Sequence, residues 1–326
     1  MKVKSLKIRN FKGVENLEIK AHDKINVIVG VNGAGKSTVL QALNHLFSWY
    51  TARMKSVNGK GIGIGAQDIN IHAGETLLEI ELNNNVHWSI YKQKPSNRQK
   101  PIAKTDLSSM THYVNELVET FEASPKDTSL PLIASYSVNR SVIDIPIRIR
   151  LKHELNPMSI YDIQLMNGAN FRSFFAWFRE REDIENEKMR YEKDIELDKQ
   201  LQAVRNAISN VLPGYGELRI QRSPRAIVLN KNGNIFKIDQ LSDGEKCYLT
   251  LIADIARRLA MANPGLENPL SGEGIIMIDE VDLHLHPSWQ LEVVPKLRNT
   301  FPNCQFFLTT HSPHIVSDIR NNVRLE

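Results

Sequence analysis

Residues 25–47 read INVIVGVNGAGKSTVLQALNHLF, and this stretch decides the fold. Ile25, Val27, Ile28 and Val29 make a nearly unbroken apolar run, the pattern of a strand buried on both faces of a sheet. Val39, Leu40, Leu43 and Leu46 then recur at helical spacing, which predicts a helix from Lys36 to near Phe47. Between the two lies GVNGAGKST, Gly30 to Thr38, an instance of GxxxxGK[ST] in the context that gives the pattern meaning, a strand before it and a helix after it. Glycines at these positions let backbone N–H groups wrap phosphate oxygens at a helix N-terminus. In this reading Asn32, Gly33, Ala34, Gly35 and Thr38 line the phosphates. Lys36 brings a point charge to the β and γ phosphates, and Ser37 offers its hydroxyl to Mg²⁺.

Upstream, Val3–Ile8 and Leu17–Ile19 read as strands, with NFKG at Asn10 to Gly13 between them. Downstream, SVNGKGIGIG (56–65) reads as a mobile loop. Leu77–Leu82 and Val86–Tyr91 read as a hairpin turning at Asn83, Asn84 and Asn85. The stretch YKQKPSNRQKPIAK (91–104) is basic and reads as a solvated loop, or more sharply as a contact to a phosphate backbone. A short apolar strand is expected at Leu132–Ala134. Further on, Phe171, Phe174, Phe175 and Phe178 repeat at helical spacing and lead into interleaved charges, so residues 166–212 read as a pair of helices projecting from the main body. Strands follow at Leu218–Ile220, Ala226–Leu229 and Ile235–Ile238, the last two joined by KNGN, a strong hairpin signal. A helix from Ser242 to near Ala262, a buried strand at Ile275–Ile278, a helix opening at Pro287, a strand at Gln305–Leu308 and a helix after Pro313 complete an α/β pattern.

Composition narrows the class. The chain has 326 residues, 41% hydrophobic and 24% charged, which excludes wholesale disorder. With 41 basic and 37 acidic side chains the net charge is +4, too small an excess to name nucleic acid as a partner. Cys247 and Cys304, with no further thiol, exclude a cysteine zinc site and read as small buried hydrophobes. No apolar run is long enough for a membrane span, and the N-terminus lacks a signal-peptide core, so a cytoplasmic protein with no membrane partner is expected.

Three further segments carry chemistry. IIMIDE (275–280) places two carboxylates at the tip of a buried strand. Asp279 suits Mg²⁺ and its waters, and Glu280 suits a general base for an attacking water. LSDGEK (241–246) opens a helix. Ser242 and Glu245 make a capping box that needs no function, while Gly244 costs about 1 kcal/mol in a helix and instead lets an anion approach. FFLTTHSP (306–313) ends a strand with His311. His284 and His286, two residues apart, show no third ligand and are not read as a metal site.

GVNGAGKST, LSDGEK, IMIDE and FFLTTHSP, in this order, resemble the Walker A, signature, Walker B and switch-histidine motifs of ATP-binding-cassette ATPases. The fold implied is an ABC-ATPase head: an α/β P-loop core sheet with an antiparallel β subdomain, built from residues 1–165 and 213–326 and interrupted by the helical insertion 166–212. The resemblance implies ATP and Mg²⁺ as ligands. It also implies a homodimer or higher oligomer of ATP-bridged heads, in which Ser242 and Gly244 meet the γ-phosphate held by the opposite protomer, and a contact of His311 with the γ-phosphate. For the glutamine-loop position, Gln67 and the region from Tyr136 to Arg140 both stand as candidates.

The long gap between Lys36 and Ser242 and the early NFKG look like the RecF, SMC and OLD group rather than transporter cassettes. After Walker B the chain reads DEVDLHLHPSWQ. Its LHP, together with FRSFFAWF and REDIEN, resembles PtuA-like ATPases of the Septu and retron-associated anti-phage systems. That resemblance implies a separate HNH-type nuclease subunit, PtuB-like, regulated by head dimerisation, with nucleic acid reached through the complex. The competing expectation is a DNA-repair or chromosome-maintenance ATPase that clamps DNA.

Overall fold

The structure is a computed structural model that describes residues 1–98, 100–138, 157–161, 171–191, 197–223, 225–317 and 322–324. Its centre is a five-stranded sheet in the order β12 (Asn322–Arg324), β3 (Ile25–Val29), β11 (Cys304–Thr309), β10 (Gly274–Ile278) and β6 (Leu132–Tyr136). All four pairings are parallel. Every residue of β10, β11 and β6 is buried, Ser135, Gln305 and Thr309 included, as central strands of a parallel sheet covered on both faces are. The register sets Ile278 beside both Tyr136 and Leu308, and Leu308 beside Val27. The C-terminal ends of β3, β11, β10 and β6 therefore finish at one edge, where ligands bind in open α/β sheets.

An antiparallel sheet, β2 (Val14–Lys20), β1 (Val3–Phe11), β4 (Glu75–Leu82) and β5 (His87–Gln93), forms the expected β subdomain. A second antiparallel sheet holds β7 (Tyr215–Arg222), β8 (Arg225–Lys231) and β9 (Asn234–Lys237). Asn232 and Gly233 both take positive φ, 52° and 83°, so KNGN turns as the Asn-Gly pair demands.

Helix α1 (Lys36–Lys55) runs well past Phe47, because Tyr50 and Met54 continue its buried stripe. Helix α2 (Ser108–Ala123), which the sequence reading did not include, packs on α1 through Met110 and Val114. Helices α5 (Asp243–Ala262), α6 (Pro287–Thr300) and α7 (Pro313–Ser317) begin where their capping residues and prolines place them. Residues 56–65 form a loop closed on α1. A Cβ on Gly61 would lie 2.5 Å from the backbone nitrogen of Trp49, so the glycine serves packing.

Residues 166–212 contain α3 (Phe171–Tyr191) and α4 (Lys199–Val211), but these helices do not project. Leu201, Val204, Ala207 and Ile208 are buried as α4 packs on α5 and α6, and Phe174, Trp177 and Phe178 are buried on α3. Some of the charges that suggested solvent are used between elements, while Glu187, Lys188 and Arg190 are exposed. Arg205 reaches Glu185 at 3.2 Å and Glu182 at 3.6 Å, and Arg181 reaches Asp198 at 2.9 Å. Both cysteines are buried, and among the described residues no helix is long and apolar enough to cross a membrane.

Candidate functional site

The phosphate loop leaves β3 at Val29 and enters α1 at Lys36. Gly33 and Gly35 hold φ of 85° and 90°, values that need glycine if successive N–H groups are to turn inward. Asn32 is exposed, and Thr38 is half-buried inside the first turn of α1. The Ala34 amide donates to the Val31 carbonyl at 3.2 Å, and Val39 to Gly35 at 3.1 Å. The β1–β2 turn leans on the loop: a Cβ on Gly35 would lie 3.2 Å from the Val14 Cγ2 methyl. The Lys36 ammonium donates to the carbonyls of Gly30 at 2.8 Å and Val31 at 3.0 Å. Its charge is thereby held over the loop it serves.

Across the edge of the sheet, β10 ends in Asp279 and Glu280. The Asp279 amide donates to the Tyr136 carbonyl at 2.8 Å, which extends the β10–β6 pairing by one step. Ser37 Oγ donates to Asp279 Oδ1 at 3.2 Å, so the two Mg²⁺ candidates face one another. Paired hard oxygen donors beside a phosphate loop are the donor set Mg²⁺ prefers, and the residues fit that ion.

Sequence reasoning missed Thr309 and Thr310, although both stand in the FFLTTHSP segment. Thr309 Oγ1 donates to Asp279 Oδ1 at 2.5 Å and accepts the Glu280 amide at 2.7 Å. Thr310 Oγ1 donates to Asp282 Oδ1 at 2.5 Å, and Ser312 Oγ donates to Gln290 Oε1 at 2.7 Å. His311 is exposed and lines an open pocket with Val29, Gly30 and Thr310, beside the start of the phosphate loop.

Ser242 and Gly244 are held by a different set of contacts. Ser242 caps α5, its Oγ accepting the Glu245 amide at 3.4 Å while Glu245 accepts the Ser242 amide at 2.8 Å. Burial opposes ionisation of Glu245. Hydrogen bonds from Lys231 (2.5 Å), Tyr215 and Ser242 nevertheless hold its pKa down at about 2. Gly244 is pressed against the loop after Walker B, where a Cβ would lie 2.2 Å from the His284 carbonyl oxygen. The described contacts thus gather Lys36, Ser37, Asp279, Glu280 and His311 at the edge of the central sheet, whereas those of Ser242 and Gly244 run to Glu245 and His284.

Of the glutamine-loop candidates, Gln67 is exposed in a short turn beside Lys12, whose amide donates to the Asp68 carbonyl at 2.7 Å. Tyr136 lies against Asp279, and Arg140 falls outside the described residues. His286 caps α6, its Nδ1 lying 2.9 Å from Ser288 Oγ. Among the described residues no cluster of histidine, cysteine and carboxylates could hold a metal on its own.

A parallel core sheet with a phosphate loop after β3, paired carboxylates after β10 and β11 lying between them defines an ATPase head of the ABC class. The chain belongs to the family described as "AAA domain, putative AbiEii toxin, Type IV TA system", which matches residues 25–317. It is 32% identical over 98% of its length to the Retron Ec83 probable ATPase of Escherichia coli, covering 70% of that protein. It is 26% identical over 96% of its length to the Septu protein PtuA of Bacillus thuringiensis, covering 72% of it. Among solved structures, an SMC head bound to the C-terminal winged-helix domain of ScpA aligns with a TM-score of 0.50 and 17% identity, over 97% of this chain and 91% of that one. At that identity the likeness speaks for the fold alone. The kinship with retron and Septu proteins is the one the four motifs and LHP led to.

Proposed function

We propose that the chain binds ATP with Mg²⁺ and hydrolyses it, that two or more heads close upon the bound ATP, and that the closed state regulates a nuclease partner in anti-phage defence. The observation that carries the reading is the meeting of Ser37 and Asp279 across the sheet edge, next to a lysine held over a glycine-rich loop. The relatives' names support it, a probable ATPase of a retron and a Septu protein.

Lys36 and the loop amides from Asn32 to Thr38 bind and orient the phosphates. Ser37 and Asp279 would hold Mg²⁺, which supplies charge neutralisation on the phosphate oxygens when bound. Glu280 takes the proton of the attacking water at its carboxylate. His311 donates to the γ-phosphate from the end of β11. Ser242 and Gly244 face the nucleotide of the opposite head, with α5 presenting its N-terminal N–H groups to the phosphate. In this scheme residues 1–165 and 213–326 make the head, and 166–212 the helical insertion that contacts partner or protomer.

The rival reading, a head that clamps DNA, rests on the exposed Lys92 near the end of β5 and the exposed Arg98, Lys100 and Lys104 beyond it. It predicts DNA binding that falls steeply with salt and DNA-stimulated turnover. The proposed function predicts Mg²⁺-dependent ATP turnover by the chain itself, lost in Lys36→Ala. Turnover that survives Lys36→Ala unchanged would rule out the site.

A further inference from the structure

We propose that Thr309 is a positioning residue for hydrolysis, one hydroxyl that sets the metal-side carboxylate and the general base in fixed relation; this rests on the ATPase reading above. The Oγ1 atom uses both halves of its hydrogen-bonding capacity. Its proton goes to Asp279 Oδ1 at 2.5 Å, and its lone pair takes the Glu280 amide at 2.7 Å. The Thr309 carbonyl accepts the Val281 amide at 2.9 Å, so a single residue of β11 grips three successive residues of the Walker B end.

The grip has something to hold. Glu280 has φ of 48°, a left-handed conformation that a non-glycine residue keeps only where its surroundings over-determine it, and such residues gather at active sites. Fixing the amide of Glu280 fixes the direction in which its side chain leaves the backbone. Asp279 Oδ1 also receives the Ser37 hydroxyl at 3.2 Å, and Thr309 holds that carboxylate in place whichever partner Ser37 takes. Thr309 is fully buried and His311 follows two residues later. The brace of the two carboxylates and the residue proposed above to meet the γ-phosphate therefore lie two residues apart in the chain.

Valine replaces the hydroxyl of threonine by a methyl group of similar size, and serine keeps the hydroxyl. In the full chain, Thr309→Val is expected to lower kcat for ATP about 10- to 100-fold, the usual cost of losing a group that orients a metal ligand, with KM little changed. Thr309→Ser is expected to stay near the parent. Binding of a fluorescent ATP analogue, titrated with Mg²⁺, supplies a readout apart from turnover: Thr309→Val needs more Mg²⁺ for half-maximal binding and Thr309→Ser does not. Thr309→Ala takes the place of valine if that variant fails to fold by circular dichroism. Parent-like kcat and Mg²⁺ demand in the hydroxyl-free variant, or a serine variant as impaired as valine, would overturn the proposal. Absence of turnover in the parent would instead count against the ATPase reading, and the Mg²⁺ titration would still decide the part played by Thr309.

Discussion

Gly244 shows how one position answers to opposed physical demands. Helix propensity alone favours alanine over glycine by about 1 kcal/mol, so Gly244→Ala in α5 should stabilise the helix. A methyl there would lie 2.2 Å from the His284 carbonyl oxygen, a backbone atom in a loop where His284 itself has φ of 62°, and that contact cannot simply swing aside. Overpacking of this kind costs about 1–3 kcal/mol, so the variant is expected to be less stable than the parent in denaturant unfolding. A more stable variant would show that the loop yields and that close packing does not explain the glycine. The motif residues themselves were legible, because spacing places Lys36, Ser37, Asp279 and His311 relative to strands and helices that the apolar pattern also reveals. Thr309 was not legible. A threonine at a strand end carries no chemical signal until strand order puts β11 between β3 and β10.

Every residue of α5 from Cys247 to Ala262 is buried. Asp254 is fully buried on it, which raises its pKa, yet Arg258, Arg257 and the Tyr136 hydroxyl together hold it below the usual carboxylate range. Arg257 lies 2.7 Å and Arg258 2.9 Å from its oxygens, and Tyr136 donates at 3.0 Å from the strand that also receives the Asp279 amide. Asp254→Ala leaves two buried guanidinium groups without their counter-ion and is expected to cost about 3–5 kcal/mol in denaturant unfolding. A loss below that range would mean that water or a rearranged partner replaces the carboxylate.

The start of α5 supplies a pH test. Glu245 has its folded pKa lowered from 4.5 to about 2, so its contribution is fully present above about pH 4.5 and is lost as the pH falls toward 2. The stability difference between parent and Glu245→Gln should therefore narrow across that window. A difference constant from pH 5 to pH 2 would show that the carboxylate charge is not what Lys231 and Tyr215 hold. Elements were legible where pattern and capping coincide: β3 and the first residue of α6 fall where Ile25–Val29 and Pro287 put them. Helix α2 escaped because only Met110, Val114 and Phe121 of its residues are buried and Leu107 gives it no side-chain cap. The setting of α3 and α4 was misread because the carboxylates of Glu182 and Glu185 turn inward to Arg205.

For the whole molecule, the parallel sheet gathers the phosphate loop, both carboxylates and His311 at one edge, while Ser242 and Gly244 open α5, Gly244 lying against the His284 carbonyl. The order of motifs along the chain made the fold of the head readable, while the closure of two heads through Ser242 and Gly244 is the proposal tested below. The nuclease claim is tested by co-expression with the neighbouring gene of the native operon: an affinity-tagged chain is expected to bring down an HNH-type nuclease, and recovery of none, with tight DNA binding by the chain alone, would favour the DNA-clamping reading. The most direct test of the central claim is the solution mass of Glu280→Gln measured by light scattering with and without MgATP. The variant is expected to retain ATP unhydrolysed, so its mass should at least double on adding MgATP and should not rise with MgADP. A variant that binds MgATP with no change in mass would contradict a site shared between heads.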